Sequence, residues 1–155
     1  GGLIMADSIR QFVEFKLGQE EYGIDILQVK TIERMMPITR VPKAPRFVEG
    51  VINLRGEIVP VIDLRKRFDL PITETTENTR IIIVSVDDIT VGMIVDSATE
   101  VVQLDQDSIE PAPPITSSID SDYLDGVGKL DDKLLILLNV EKLLKPQEID
   151  ELAQI

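Results

Sequence analysis

The residue types that most often carry catalysis are sparse in this sequence, and its candidate motifs have the wrong spacing. Histidine and cysteine are both absent, which excludes Ser-His-Asp and Cys-His catalysis, thiolate or imidazole metal sites, and phosphate transfer from a histidine of this chain. Gly126-Val127-Gly128-Lys129 resembles part of a phosphate-binding loop. However, Tyr123 stands where that loop begins with glycine, and Leu130 replaces the Ser or Thr that holds magnesium. We therefore predict no nucleotide site.

Carboxylates are the remaining candidates for chemistry, and they concentrate at loops and turns. Residues 120–131 resemble a calcium loop, but Leu124 occupies the third ligand position and the twelfth lacks the usual bidentate Glu. The pairs Asp87-Asp88 and Asp131-Asp132 separate strand-like runs, where water keeps both carboxylates ionised. The sequence therefore predicts no metal, no cofactor and no enzymatic activity. A carboxylate-based hydrolase, or a barrel for a small ligand, is the alternative that an activity assay would test.

Composition and charge indicate a folded domain and restrict its partners. Hydrophobic residues make up 43% of the 155 residues, and no apolar run approaches the ~18 residues of a membrane span. The net charge of −12 argues against nucleic acid as a partner, since phosphate binding needs a basic face. Residues 30–67 nevertheless carry nine cations and four anions, a local charge of +5 that leaves −17 elsewhere. Such a segment is either ordinary surface variation or a site that attracts acidic partners.

Short runs of β-branched residues with period-2 alternation predict a mainly β fold. Two-residue connections at Arg55-Gly56, Asp87-Asp88 and Asp131-Asp132 separate such runs and are typical of hairpins. Helix is scarce in the pattern. We predict one short helix near residues 25–29 and a short C-terminal helix that begins at Pro146.

The chain also contains two copies of one plan. Residues 47–68 and 123–144 align without gaps at an offset of 76. A second block aligns at an offset of 69 and makes Ile32 equivalent to Val101. The change of offset corresponds to a difference in loop length between the two blocks. We therefore predict a duplicated unit.

Duplication predicts two packed five-stranded antiparallel barrels, related by an approximate two-fold and divided near residues 71–79. A terminal strand is free to cross to the other half. Residues 1–4, ahead of Met5, look foreign to the natural chain. The predicted divisions are an N-terminal arm (residues 5–11), a first barrel (12–75), a second barrel (80–145) and a C-terminal helical tail (146–155).

Three glycines and an arginine have special positions in the repeat. Gly50 and Gly126 begin the two copies, which indicates a backbone bend that both barrels need. Gly56 accepts a positive φ at a tight corner without steric cost, whereas Arg55 would bear a modest penalty there. A short turn projects the Arg55 guanidinium outward, either as a solvated turn residue or as a contact for a partner.

Five blocks of the chain resemble the CheW family of chemotaxis coupling proteins. They are EEYGIDILQVKTIER (20–34), VPKAPRFVEGVINLRGEIVPVIDLR (41–65), VGMIVDSATEVVQL (91–104), IEPAP (109–113) and LILLNVEKLL (135–144). The resemblance runs in order from Phe12 to Leu144, and the NLRG core is its most specific part. It implies two packed SH3-like barrels in a non-enzymatic scaffold that joins the cytoplasmic tips of transmembrane chemoreceptors to the histidine kinase CheA.

The resemblance also implies a cytoplasmic protein that is recruited to receptor arrays without inserting into the membrane. The absence of cysteine fits a reducing compartment. CheA carries a related regulatory domain at its C-terminus, so a fragment of such a kinase is the alternative setting for the same fold.

We expect two partner-binding faces, one at the seam between the barrels and one on the proline-rich loop. The predicted receptor face comprises Val29, Thr31, Ile32, Arg55 and Val101. Family members often carry an acid where this chain has Thr31. The predicted kinase face, for the CheA regulatory domain, comprises Met35, Ile38, Arg40, Val41 and Phe47. Three prolines make this apolar set hard to bury, and the alternative is a loop that plugs the open end of its own barrel.

Overall fold

Short strands make up most of the structure, a computed structural model that describes residues 8–111 and 121–155. The strands are β1 (Ile9–Leu17), β2 (Glu20–Asp25), β3 (Val29–Arg34), β4 (Val48–Leu54), β5 (Glu57–Asp63), β6 (Arg80–Val86), β7 (Ile89–Val95), β8 (Ser97–Asp105), β9 (Ile109–Glu110), β10 (Leu124–Leu130) and β11 (Lys133–Leu138). The α-helices of the described residues are α1 (Leu64–Arg67) and α2 (Pro146–Ala153), and single 3-10 turns cover Ile26–Gln28, Gln106–Ser108, Ser121–Tyr123 and Val140–Lys142. The predicted mainly β class is confirmed, as are the short helix near residues 25–29, which is a 3-10 turn, and the C-terminal helix.

The strands form two sheets that each take members from both halves of the chain. Strand order is β8-β1-β2-β11-β10-β9 in sheet A and β3-β6-β7-β5-β4 in sheet B. The N-terminal hairpin β1–β2 therefore completes the sheet of the C-terminal half, and β6–β7 completes the sheet of the N-terminal half. The predicted division between residues 75 and 80 does not separate the sheets. The prediction allowed one terminal strand to cross to the other half, whereas in the structure two whole hairpins, β1–β2 and β6–β7, are exchanged between the halves.

Pairing registers repeat between the sheets at both offsets found in the sequence. The parallel pair of Val61 with Gly92 in sheet B corresponds to the parallel pair of Leu137 with Gly23 in sheet A. The first members of these pairs are 76 residues apart and the second members 69. Strand order also matches for five strands of each sheet, and β9 is an additional strand of sheet A. The predicted duplication is confirmed.

The described residues form three hydrophobic clusters, and the largest lies between the two sheets. Phe15, Tyr22 and Ile82 are fully buried in this shared core, and the helices reach it through Leu64 and Leu152. The smaller clusters lie inside the barrels, with Ile52, Leu54, Val59, Val61, Ile81 and Ile83 in sheet B and Phe12, Val102, Leu104, Leu135 and Leu137 in sheet A. Because most of the buried apolar surface is shared, neither half of the sequence contains a complete core of its own.

Side-chain contacts connect strands near the two ends of each sheet. Among the described residues, no backbone ladder joins the first strand of either sheet to its last. In sheet A, the Leu104 side chain of β8 packs against Gly128 of β10. In sheet B, Arg55 at the end of β4 contacts Glu33 of β3. The two sheets correspond to the two barrels that the resemblance implies, although neither barrel is closed by backbone hydrogen bonds among the described residues.

Three hairpins have the predicted two-residue turns. Leu54 pairs with Glu57 around Arg55-Gly56, and equivalent registers enclose Asp87-Asp88 and Asp131-Asp132. Arg55 has a φ of 52° and Gly56 a φ of 90°. Positive φ at both central residues matches the twist of the flanking strands, which is why such turns join tight hairpins.

Gly50 and Gly126 occupy equivalent bulges where another segment of backbone comes close. Both have a φ of 155°. A Cβ on Gly50 would collide with the Thr39 carbonyl oxygen, and one on Gly126 would lie 2.6 Å from the Glu110 carbonyl oxygen. Glycine is needed at both bulges because only a residue without Cβ lets the outer segment approach the sheet.

The N-terminal strand begins earlier than the predicted arm allows. Residues 1–7 lie outside the described residues, but β1 starts at Ile9, which pairs with Asp105 of β8. The Gln106 N–H also donates to the Ser8 carbonyl over 2.6 Å. Residues 9–11 are strand because the nine-residue β8 offers them a partner, and that pairing exists only after the hairpins have exchanged.

Candidate functional site

Two exposed apolar residues mark the outer edges of the two sheets. Ile32 lies on edge strand β3 and Val101 on edge strand β8, with 43% and 47% of their surface exposed. Their ladder partners, Ile82 and Val13, are buried in the shared core. Because the two exposed positions are equivalent in the repeat, the approximate two-fold gives each sheet edge an apolar side chain at the same point.

An ion pair links the tip of the β4–β5 hairpin to strand β3. The Arg55 Nη2 donates to Glu33 Oε2 over 3.3 Å. The Thr31 hydroxyl and the Arg55 guanidinium lower the pKa of Glu33, so the carboxylate stays ionised at neutral pH. Glu33 thus provides an acid beside position 31, which itself lacks one. The Arg55 side chain is 68% exposed, so it remains accessible and the pair contributes little to stability.

The structure brings together part of the predicted receptor face. Arg55 is tied by its ion pair to Glu33 of β3, which lies on the same face of the strand as Thr31, whereas the exposed Ile32 lies on the opposite face. Val29 is half-buried against the shared core, so it supports β3 rather than offering a free side chain. Val101 lies on β8, at the edge of the other sheet. The predicted set therefore occupies two edges, related by the approximate two-fold.

A cleft beside the turn between β2 and β3 extends this region and was missed in the sequence. The cavity measures about 440 Å³ and is lined by residues that include Ile9, Asp25, Ile26, Leu27 and Gln103. Leu27 is 90% exposed, and the Arg10 Nη2 donates to Asp25 Oδ2 over 2.9 Å. Gln103 lies two residues from Val101, on the same face of β8. Leu27 is the residue that could have indicated this cleft from the sequence, because an apolar residue in a single helical turn has little to pack against.

The proline-rich loop divides the predicted kinase face. Met35 and Ile38 are half-buried against the cluster inside the sheet B barrel, as the plug alternative predicts. Arg40 and Val41 line a groove of about 940 Å³, to which Ile38 also contributes. Phe47 is half-buried on the shared core. The loop therefore plugs its barrel with one part and leaves a groove open along another.

Two arginine–carboxylate pairs lock α1 to distant elements, and neither was predicted. The Arg65 Nε and Nη2 donate to Asp96, between β7 and β8, over 2.8 and 2.5 Å. Burial acts to raise the pKa of Asp96, but Arg65 and the Gly18 N–H outweigh it and lower the value. The Arg67 Nη atoms donate to Glu148 of α2 over 2.7 Å each. The partners are 31 and 81 positions apart, separations that no local pattern reveals.

A buried carboxylate lies at the mouth of the sheet A barrel. Glu14 is 2% exposed, and the Lys133 Nζ lies 2.8 Å from Glu14 Oε1 and 2.8 Å from Glu21 Oε2. Burial and the neighbouring Glu21 raise the pKa of Glu14, although Lys133 acts in the opposite direction. The equivalent position in sheet B is the buried Ile83, so this ionic cluster belongs to one barrel only.

Groups of three or more metal-ligating side chains do not occur among residues 8–111 and 121–155. No helix in that part of the chain is long and apolar enough to span a bilayer. The described features are two sheets with exchanged hairpins, apolar edge positions, a cleft beside the turn between β2 and β3, and a groove beside the proline-rich loop. They define a double-barrel β protein with two separate candidate binding surfaces.

Comparison with known proteins identifies the family. The family model of the CheW-like domain matches residues 11–148. Chemotaxis protein CheW of Klebsiella aerogenes is 42% identical over 140 residues, which cover 90% of this chain and 84% of that protein. Chemotaxis protein CheW of Bacillus subtilis is 40% identical over 134 residues, 86% of each chain. The crystal structure of the scaffolding protein TtCheW from Thermoanaerobacter tengcongensis matches with a TM-score of 0.81 and 41% identity, over 90% of both chains. This chain belongs to the CheW family of chemotaxis scaffold proteins.

Proposed function

We propose that this protein couples chemoreceptors to the histidine kinase CheA by binding both, without catalysing a reaction. It acts in the cytoplasm and is recruited to receptor arrays at the membrane. The observation that carries the proposal is the presence of two separate surfaces on one body with a shared core. A body of this kind holds two partners at a fixed distance and orientation, as a coupling protein requires.

The proposed receptor face lies along β3, β8 and the cleft beside the turn between β2 and β3, around Leu27. Its exposed apolar residues suit the tip of a helical hairpin, which docks through side chains spaced along one helix face. Arg55 and Glu33 add a polar rim, and the exposed guanidinium is free to form a charge-assisted hydrogen bond with a receptor carboxylate. Val101 contributes to the proposed face from β8, Thr31 lies beside the ion pair on β3, and Val29 supports β3 from the shared core.

The proposed kinase face lies on the groove of the proline-rich loop and binds the regulatory domain of CheA. Ile38, Arg40 and Val41 line the groove. Met35 and Ile38 also hold the loop on its barrel, and Phe47 packs on the shared core. The prolines reduce the conformational freedom that the loop would lose on binding.

Binding measurements with single substitutions test the two faces separately. We expect Arg55→Ala to weaken binding to a chemoreceptor tip fragment and Val41→Asp to weaken binding to the CheA regulatory domain, each without a change in the other partner. Lys142→Ala, at an exposed position outside both faces, is the control for Arg55. Circular dichroism checks that every variant is folded.

Leu134→Asp provides the contrasting result. Leu134 is 53% exposed on β11 of the other barrel. If Leu134→Asp abolishes CheA binding while folded Val41→Asp binds as wild type does, the kinase face lies on sheet A and the assignment to the proline-rich loop is wrong.

A further inference from the structure

The proline-rich loop holds a lysine in a backbone conformation that favours glycine. Lys43 has a φ of 65°, and the Ala44 N–H donates to the Val41 carbonyl over 3.1 Å. A turn with Pro42 at its second position and a positive φ at its third has the form of a type II turn, in which Gly or Asn normally follows proline. Lysine there raises the free energy of the folded state relative to glycine. Backbone strain of this kind tends to occur where a side chain has a function.

The strained lysine lies on the rim of the groove of about 940 Å³ beside the loop. Ile38, Val41 and Val48 contribute apolar surface to this groove. Its cations are Arg40, Lys43, Arg46 and Lys66. The Lys66 Nζ lies 2.5 Å from Glu49 Oε1 and is neutralised.

The other three cations of the rim have no ion-pair partner within the part of the chain that the structure describes. The groove therefore presents an apolar floor beneath uncompensated positive charge, on a protein whose net charge is −12. Like charges held close together repel one another unless a ligand supplies anions. The local charge thus favours a ligand that combines carboxylates with apolar side chains.

We infer that this groove binds an acidic segment of the partner protein, with apolar side chains on its floor and carboxylates on its rim, and that Lys43 is a specificity-determining residue for it. This deepens the kinase face and rests on the proposed function for the identity of the partner. Glu151 of α2 lines a second cavity together with Lys43, but it forms no ion pair with Lys43 in the part of the chain that the structure describes. The partner's own acids are therefore the complement.

Two substitutions of Lys43 separate its charge from its backbone strain. Lys43→Gly removes both, whereas Lys43→Ala removes the charge and keeps a Cβ at positive φ. Asp87→Gly is the matched control, since Asp87 has a φ of 49° in the β6–β7 turn and does not line the groove. The probes are the CheA regulatory domain and a synthetic glutamate-rich peptide containing leucine, each titrated at low and at high salt. Thermal unfolding is followed in parallel.

Both Lys43 variants should weaken binding of both probes by the same factor, about two- to fivefold at low salt for one exposed charge. The factor should fall towards one at high salt, because screening weakens the contribution of the rim. Lys43→Gly should also melt at a higher temperature than Lys43→Ala. If Lys43→Gly is more stable than wild type and yet binds the probes less well than wild type, Lys43 is retained for recognition. The control Asp87→Gly should leave binding unchanged.

Other results would overturn either the inferred acidic-segment groove or the proposed identity of its partner. If the CheA domain binds wild type and both variants equally, the proposed coupling stands and the acidic-segment groove is wrong. If wild type does not bind the CheA domain while Lys43-dependent peptide binding persists, the groove is supported and the proposed partner is wrong. Self-association of wild type that both variants abolish, with no effect on either probe, would make a second copy of the chain the occupant and contradict the inference.

Discussion

The contact between α1 and α2 gives a measurable prediction about stability. Glu148 accepts two hydrogen bonds from Arg67 at 2.7 Å, and the two side chains are 14% and 11% exposed. The Arg67 Nε has no hydrogen-bond partner among the described residues. Removing the Glu148 charge would therefore leave a nearly buried guanidinium without its carboxylate.

The expected loss follows from the burial of the pair. Breaking a buried ion pair by removing one partner costs about 3–5 kcal/mol, and slight access to water should reduce this to roughly 2–4 kcal/mol for Glu148→Gln. Domains unfold with about 5–15 kcal/mol in total, so the effect is large. With a urea dependence of about 2 kcal/mol per molar, the midpoint of unfolding should fall by about 1–2 M.

The same carboxylate makes the difference depend on pH. Burial acts to raise the pKa of Glu148, but Arg67 and the Lys145 N–H outweigh it and lower the value below the ordinary 4.5. A group with a depressed folded-state pKa stabilises the protein above its unfolded pKa and loses that contribution as pH falls through the folded value. The gap between wild type and Glu148→Gln should therefore be complete at neutral pH and should close below pH 4.5.

Urea titrations monitored by circular dichroism measure both effects, with Glu151→Gln as the matched control on the exposed side of the same helix. The control should stay within about 0.5 kcal/mol of wild type. The double variant Arg67→Met with Glu148→Leu should recover most of the loss, because apolar side chains leave no unpaired charge. Equal stability of Glu148→Gln and Glu151→Gln at neutral pH would refute this reasoning.

Three further predictions concern the exchanged sheets, the bulges and the ionic cluster. Cutting the backbone near residue 75 should leave two fragments that co-purify and unfold together, whereas either fragment alone should lack cooperative unfolding. Size exclusion and urea titration check this prediction. Independent folding of one fragment would contradict the exchange of hairpins. Gly126→Ala should lower the melting temperature far more than Gly18→Ala, whose added Cβ meets open space, as thermal unfolding would measure. Lys133→Met should lower the urea midpoint because it leaves Glu14 buried without its cation, and adding Glu14→Leu should restore it; an unchanged midpoint for Lys133→Met would argue against the cluster.

Much of the fold was predictable because it is encoded locally. The pairs Arg55-Gly56 and Asp87-Asp88 predicted hairpins correctly, because two turn residues between β-branched runs are typical of few other structures. The offsets of 76 and 69 established which strands are equivalent. They did not indicate which copy a strand pairs with, since an exchanged hairpin and an unexchanged one have the same sequence pattern.

The surfaces were predictable only in part, for a related reason. The repeat alignment singled out Ile32 as the equivalent of Val101, and both are exposed. Burial of Val29 in the shared core, and of Met35 and Ile38 in a barrel interior, depends on how the sheets pack. The contact of Arg65 with Asp96 likewise arises only when the crossover from β7 to β8 comes beside α1. Such contacts are set by tertiary structure, which local patterns do not specify.

Co-sedimentation with receptor-bearing membranes tests the central claim most directly. The CheA regulatory domain is mixed with the membranes in the presence or absence of this protein, and the pellet is analysed. Coupling predicts that the domain sediments only when the protein is present, and that Arg55→Ala and Val41→Asp each reduce the pelleted domain. Equal sedimentation of the CheA domain without the protein, or displacement of the protein from the membranes by that domain, would contradict the account.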